Sequence, residues 1–417
     1  KTYSGDGSVA RGELGGSDSA PVRPGSGPRS AGSSVGTDSP DRWGVHVRTR
    51  PITFSITELA GSMGDFGTLL PLAIGYIVVC GLDPAGFLVM MGLANIVSGL
   101  VYRLPMPIEP MKALAVVAIA QHWTPSMVHA SGLAMGIVWL LLATTGAITW
   151  IARITPTPVV MGIQATLGIL LATEALRLSS SSWLLAAFGV VIVLTLRRNK
   201  YAPAALVLMA LGVGIMVVNG GFEGVTAPAF RLPTLTRFTL AEMWDTLLRA
   251  GFAQVPLTAA NAVIATSSLI STYWPEEKVS PRKLAFSHAA MNLTAPLFGG
   301  MPMCHGAGGL VGQYFYGART AGANVIEGTI EMTLGLLFAG SIAGLFAAFP
   351  SAIVGAMMFM VGLELVKFAR HVKVGPHLIV LGVTVGVALL SNMAFGFVAG
   401  IATDRVVSLV TERQRAG

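Results

Sequence analysis

The sequence predicts an all-α, multi-pass membrane protein. About fourteen transmembrane segments form two inverted halves of seven, and short extended stretches lead into half-helices at segments 3 and 10. Composition, charge placement and a repeated chain break predict this. Of 417 residues, 53% are hydrophobic and only 11% are charged, whereas a soluble domain carries about 25% charged residues. The cations sit in short clusters between long apolar runs, as positive-inside topology requires. A Pro- or Gly-rich stretch interrupts an apolar run at the same position in each half. The 50 glycines and 19 methionines suit membrane helices packed through small residues. The net charge of +7 is distributed as loop clusters, which argues against nucleic acid as a partner. Cys80 and Cys304 both lie in apolar context and do not suggest a disulfide framework.

Residues 1–50 are rich in Gly, Ser, Pro and Arg and lack the apolar content to bury a core. They read as a disordered cytoplasmic tail without a signal-peptide core. The chain begins with Lys rather than Met, as a fragment or processed form would. The first inverted repeat is assigned to 51–218. Its segments are Phe54–Val79, Pro84–Tyr102, the stretch to Gln121, Val128–Ile151, Pro158–Leu176, Trp183–Leu196 and Pro203–Val218. A polar connection follows at 219–240. The second repeat, 241–411, holds Leu247–Ser271, Arg282–Phe298, Pro302–Phe315, Ala321–Phe349, Ser351–Val366, His377–Leu390 and Ala394–Val410, before a tail at 412–417.

Loop charges test this topology. With the N-terminal tail in the cytoplasm, Arg103, Arg153, Arg197/Arg198/Lys200, Lys278/Arg282/Lys283, Arg319, Lys367/Arg370/Lys373 and Arg405/Arg413/Arg415 all fall inside. Only Arg177, Arg231, Arg237 and Arg249 fall outside. Both termini are therefore expected in the cytoplasm. The halves also align: Pro105-Met-Pro-Ile-Glu-Pro-Met-Lys with Pro302-Met-Cys-His-Gly-Ala-Gly-Gly, and Leu70-Pro71 with Val255-Pro256. An odd number of segments per half inverts the second, and inverted repeats with broken helices are a mark of secondary transporters.

Pro105, Pro107 and Pro110 hold Leu104–Glu109 extended, and the Ala-rich run after Pro110 reads as helix. Non-helical backbone at membrane depth is tolerated where it lines a cavity or is buried in protein. In inverted halves the N-termini of half-helices 3 and 10 face each other, and their free amides make an anion site. The candidate donors are the amides of Met111, Lys112, Ala307, Gly308 and Gly309; the competing reading of the glycines is tight helix packing. Lys112 is the one Lys or Arg that this topology places deep in the membrane. It reads as a substrate or coupling residue, or as the partner of Glu109 or Asp65. Asp65 reads equally as a helix cap or a proton carrier. Gln254 and Asn261, seven apart on one helical face, read as oxyanion donors or interhelical hydrogen-bonding groups. Glu58 reads as interfacial and His305 as a packing residue. Glu327 and Glu331, four apart on one face, read as interfacial beside Arg319 in preference to a proton path. Nothing suggests a metal site, a cofactor or an enzyme's nucleophile–base pair.

Gly64-Asp-Phe-Gly-Thr-Leu-Leu-Pro71, Pro105-Met-Pro-Ile-Glu-Pro-Met-Lys112 and Pro302-Met-Cys-His-Gly-Ala-Gly-Gly-Leu-Val-Gly-Gln313 resemble the MOT1-type molybdate transporters of the sulfate permease superfamily. The resemblance extends over about Ile52–Val410. It implies that superfamily's core-and-gate fold, with segments 1, 3, 8 and 10 around the substrate. Gly417 lies just past the last segment, which implies the type lacking a C-terminal soluble regulatory domain. The implied function is secondary active transport of molybdate, with tungstate or sulfate as further oxyanion candidates and an uncoupled anion channel as the alternative. Thr68, Gln254, Asn261 and Lys112 would assist the backbone amides. Asp65 and Glu109 are the proton-coupling candidates; Glu109 stands where many relatives are expected to carry Gln. The implied setting is a plasma (cell inner) membrane, with a homodimer implied by resemblance.

Overall fold

Proline, glycine and capping residues divide the apolar chain into helices. The computed structural model describes residues 51–196, 204–220, 226–372 and 375–416. The expected tail at 1–50 and the cations Arg197, Arg198, Lys200 and Lys373 lie outside the described residues. The first half contains α1 (Ile56–Ser62), α2 (Phe66–Val78), α3 (Pro84–Tyr102), strand β1 (Glu109–Pro110), α4 (Lys112–Ala120), α5 (Pro125–Thr145), α6 (Ile148–Ile154), α7 (Thr157–Ser179), α8 (Trp183–Leu196) and α9 (Ala204–Val218). In the second half α10 (Leu240–Thr246), α11 (Phe252–Thr258) and α12 (Thr266–Tyr273) are joined by π-helical turns into one rod. Then follow α13 (Pro281–Thr294), β2 (Met303–Cys304), α14 (Ala307–Tyr316), α15 (Gly322–Ala347), α16 (Ser351–Lys367), α17 (Pro376–Leu390) and α18 (Met393–Ala416).

Three helices start alike. Asp83, Thr124 and Ser280 accept hydrogen bonds from first-turn amides of α3, α5 and α13, and each is followed by proline. The side chain satisfies an amide that has no intrahelical partner, and proline lacks the amide that would otherwise be orphaned. Among the described residues, six helices are long and apolar enough to cross a membrane: Pro84–Tyr102, Pro125–Thr145, Thr157–Ser179, Leu240–Tyr273, Gly322–Phe346 and Met393–Glu412.

Several boundaries differ from expectation. The first segment is two helices, because the chain turns at Met63–Asp65, where Gly64 lies against the backbone of Gly312 and Gln313 with no room for a Cβ. The fourth segment stops at Thr145, where Gly146 takes a left-handed conformation at φ 73° and caps the helix. The eighth runs unbroken past Pro256, but its ladder widens at Leu247–Gly251 and Ala259–Ala265. The connection is non-helical over 226–239 and bonds along its length: Ala229 and Arg231 donate to Leu337 and Leu336 of α15 at 2.9 and 2.7 Å.

The main helix pairs are α3 with α15, α5 with α13, and α7 with α16; α17 also packs on α7, and α8 on α16. Backbones touch where α3 crosses α15 at Gly92 and Gly328, and where α7 crosses α16 at Gly168 and Gly362. Inside these pairs lies the one antiparallel ladder of the described residues, with Glu109 opposite Cys304 and Pro110 opposite Met303.

Two asparagines hold the extended stretches that carry these strands. Asn324 of α15 accepts from the Met106 amide at 2.7 Å and donates to the Met106 carbonyl at 2.6 Å. Asn292 of α13 does the same for Met303, at 2.9 and 2.7 Å. Each carboxamide acts as a one-residue neighbouring strand, supplying the partners that lipid cannot. Leu104, Met106, Ile108 and α4 from Ala113 to Ile119 are buried. At 1.5 Å per residue, the nine residues of α4 reach about 14 Å, roughly half the hydrocarbon thickness.

Candidate anion-binding site

The ladder brings two helix starts together. Each strand passes within a few residues into a half-helix: β1 through Met111 into α4, and β2 through His305 and Gly306 into α14. Met111 and Gly306 occupy the N-cap positions in extended conformation, and neither side chain caps its helix. A cavity of about 300 Å³ opens beside both starts. It is lined by Asp65, Thr68, Glu109, Lys112, Asn261, Gly308 and Gly309. Gln164 of α7, Val361, Glu364 and Leu365 of α16, and Leu257 of α11 also line the space.

The two starts differ in their free amides. The Met111 amide donates to the Pro302 carbonyl at 2.9 Å, extending the strand pairing. The Ala113 and Leu114 amides donate to Gln254 Oε1 at 2.7 and 3.3 Å, and Gln254 Nε2 donates to Thr258 Oγ1 at 2.5 Å. Gln254 is thus the cap that Met111 cannot be, supplied from another helix. Met111 and Gln254, expected as anion donors, have their hydrogen-bonding groups engaged and do not line the cavity; Ala307 is buried beside it. At α14 no side chain caps the first turn. Gly308 faces open space: a Cβ there would meet nothing within 4 Å.

A carboxylate of the chain itself lies against α14. A Cβ on Gly306 or Gly309 would collide with the Glu109 carboxylate. Glu109 Oε2 accepts from Lys112 Nζ at 3.0 Å, whereas Oε1 is buried without a partner. The i,i+3 spacing that straddles the helix start makes this pair. Asp65 stands at the N-cap position of α2, yet its carboxylate accepts no hydrogen bond, and both its oxygens are buried. Only its backbone carbonyl is used, accepting from the Thr68 hydroxyl at 3.2 Å. The cap reading of Asp65 is therefore not realised. Asp65, Glu109 and Lys112 together leave the wall net acidic.

Other readings also change. Glu58 is buried, accepting on Oε1 from the Arg319 and Thr320 amides at 3.1 and 3.0 Å, so it ties the turn before α15 instead of facing an interface. Glu327 and Glu331 are 2% and 6% exposed rather than interfacial. Their shared face of α15 turns inward, where Gln313 Nε2 lies 3.4 Å from Glu327 Oε2 and Asn95 Nδ2 lies 2.9 Å from Glu331 Oε2. His305 packs as expected, with Nδ1 3.2 Å from the Pro107 carbonyl and Nε2 2.7 Å from Ser287 Oγ. Gln164 was missed, although a lone amide in an apolar run is a recognisable signal. Val361 and Leu365 carry no such signal.

A family model described as the molybdate transporter of the MFS superfamily matches residues 57–171 and 246–365. The chain belongs to this molybdate transporter family. All the cavity-lining residues fall within the two matched stretches. Molybdate transporter 2 of Arabidopsis thaliana is 30% identical over 411 residues, covering 85% of this chain and 88% of that protein. The fold of this MOT1 member is similar to that of the transmembrane domain of a cyanobacterial bicarbonate transporter, BicA. The TM-score is 0.60 and identity 17%, covering 83% of this chain and 97% of the other. Murine solute carrier 26 family member A9, an anion transporter, matches at TM-score 0.66 and 11% identity, covering 87% and 69%. The chain is an integral membrane protein of a transporter family.

Proposed function

We propose that this protein is a proton-coupled secondary transporter of molybdate. The anion would bind in the cavity at the starts of α4 and α14, held chiefly by the Gly308 and Gly309 amides, with Lys112, Thr68 and Asn261 assisting. The observation that carries this reading is the uncapped, glycine-lined first turn of α14 opening on a cavity that also holds a lysine. Exposed amides and the helix dipole favour a tetrahedral oxyanion there. At roughly 30 Å³ per water, the space takes the anion with several waters.

The net acidic wall supports coupling. A dianion entering beside Asp65 and Glu109 needs protons to offset the repulsion. Against an inside-negative potential of about 100 mV, its two charges cost roughly 4.6 kcal/mol. Of the three acids lining the cavity, Asp65 and Glu109 would carry protons, whereas Glu364 is paired with Lys367.

The packing supports two inverted halves of seven. Exchanging the halves turns the α3–α15 contact into α13–α5, and α7–α17 into α16–α8, while β1–β2 and α7–α16 map onto themselves. In this scheme α7 and α16 belong to one body, the half-helices to the other, and relative movement exposes the cavity to each side in turn. In this reading both termini face the cytoplasm, which the loop charges favour, the membrane is a plasma (cell inner) membrane, and a homodimer is the expected assembly.

The test is uptake of molybdate into proteoliposomes at two external pH values, with tungstate and sulfate as competitors. Uptake that rises with an inward proton gradient supports the reading. Voltage-driven, gradient-independent flux would identify a channel, and preferential displacement by sulfate would reassign the substrate.

A further inference from the structure

Glu327 and Gln313 meet at the buried face between α14 and α15, and their atoms are left in a pattern that one proton completes. Gln313 is fully buried and Glu327 is 2% exposed. Gln313 Nε2 donates to Glu327 Oε2, while Gln313 Oε1 and Glu327 Oε1 are both buried without a partner. A carboxylate and an amide oxygen are acceptors only. Each unpaired buried acceptor costs about 1–3 kcal/mol. A proton on Glu327 Oε1 that donates to Gln313 Oε1 would remove both deficits and close the pair into a two-bond acid–amide ring.

The groups facing Glu327 are acids or neutral. Asp65 from the α1–α2 turn, Glu109 from β1 and Glu331 one turn along α15 are the charges that act on it. From α3 comes the Asn95 carboxamide, which donates to Glu331. From α1 comes Glu58, held by the Arg319 and Thr320 amides. The Arg319 guanidinium is turned onto Tyr314, its centre 3.7 Å from the ring centroid.

Gln313 sits one helical turn beyond Gly309, about 6 Å along the axis of the half-helix whose first turn lines the cavity. Gly64 abuts the Gln313 backbone N–H, and the neighbouring Asp65, with its two unpartnered oxygens, both lines the cavity and acts electrostatically on Glu327.

We infer that Glu327 is the resident proton site of the carrier, held by Gln313 as an acid–amide pair and loaded from the cavity through Asp65. The inference rests on the transport reading above and gives its coupling a terminal site outside the cavity. Release of the proton turns the ring into two opposed oxygens and pushes on α14, so proton occupancy and the position of the anion's amides are linked.

The test is molybdate uptake by the full chain in proteoliposomes across external pH values on either side of neutral. A one-proton requirement gives up to about tenfold per pH unit. In Glu327→Gln an amide–amide pair keeps both hydrogen bonds but holds no titratable proton; the expected result is loss of the pH slope. A slope equal to that of the unmodified protein overturns the inference and leaves the transport reading standing. No molybdate uptake by the unmodified protein at any pH overturns both. Should Glu327→Gln fail to insert, Glu327→Asp keeps the acid but draws it back from Gln313; its pH midpoint is expected to move by about one unit, and an unmoved midpoint overturns the assignment.

Discussion

Lys112 supplies the sharpest test of the anion site. Replacing it with Met keeps an unbranched side chain, one atom shorter, and removes the charge. The Lys112 ammonium lies 3.0 Å from Glu109 Oε2, and the Glu109 side chain is 2% exposed. At that separation, with an effective dielectric constant near 20, the attraction is about 5.5 kcal/mol. Breaking a buried pair by removing one partner costs about 3–5 kcal/mol, because the other charge stays buried and unpaired. That uncompensated carboxylate would lie on the α14 first turn, where the anion is proposed to bind. Lys112→Met is therefore expected to weaken molybdate binding by at least ~100-fold, about 2.8 kcal/mol. The double variant Lys112→Met/Glu109→Gln removes both charges, and its affinity is expected to recover to within about tenfold of the unmodified protein. Isothermal titration of the detergent-purified protein with molybdate reads both numbers, and thermal unfolding without ligand reports any separate loss of stability. Unchanged affinity in Lys112→Met would refute the charged-site reasoning. A double variant no better than the single would refute the claim that Glu109 competes with the ligand.

Three further perturbations address other links in the argument. Gly308→Ala adds a methyl group to open space, so folding is retained while molybdate affinity falls; Gly309→Ala collides with Glu109 and is expected to cost about 1–3 kcal/mol of stability. Equal effects of the two in thermal unfolding and titration would contradict the assigned faces. Asn324→Ala strips both partners from the Met106 backbone, at about 1–3 kcal/mol for each unsatisfied group, and a markedly lower unfolding temperature is the expected readout. Gln254→Leu orphans the Ala113 and Leu114 amides. It should destabilise on a similar scale and leave molybdate affinity within a few-fold, whereas a large affinity loss at unchanged stability would return Gln254 to the ligand's own contacts.

The break points of the fold were legible because proline and glycine act locally. Pro105, Pro107 and Pro110 impose extended geometry wherever they stand, and the structure places β1 and α4 where they require. Asp65, Thr68, Glu109, Lys112, Asn261, Gly308 and Gly309 could be singled out because polar groups and glycines at membrane depth are conspicuous. Which polar groups are already engaged was not legible. The Met111 amide is used by Pro302 and the Gln254 carboxamide by α4, and each depends on a partner more than a hundred residues away in sequence. The burial of Glu327 has the same origin: periodicity puts it on one face with Glu331, but only the packing of α15 against α3 turns that face inward. Val361 and Leu365 reach the cavity by helix placement alone.

The two half-helices are related in backbone and unequal in chemistry, and the inequality gives each a task. At α4, Gln254 satisfies two amides and the ladder takes the Met111 amide, so this start is fixed and contributes chiefly the Lys112 charge. At α14 there is no cap; its first turn has only the Glu109 carboxylate lying against it. In the proposed site, an oxyanion at Gly308 and Gly309 would meet a start whose nearest internal anion is tethered to Lys112. Substrate and Glu109 would then compete for the same positive field, with Lys112 attracted to both. On that proposal, binding at α14 would draw the lysine toward the substrate, weaken its hold on Glu109 and raise the demand for a proton among the neighbouring buried acids. Competition between a tethered and a mobile anion for one helix start would suffice to link oxyanion binding to proton uptake, without a direct contact between the oxyanion and the proton site.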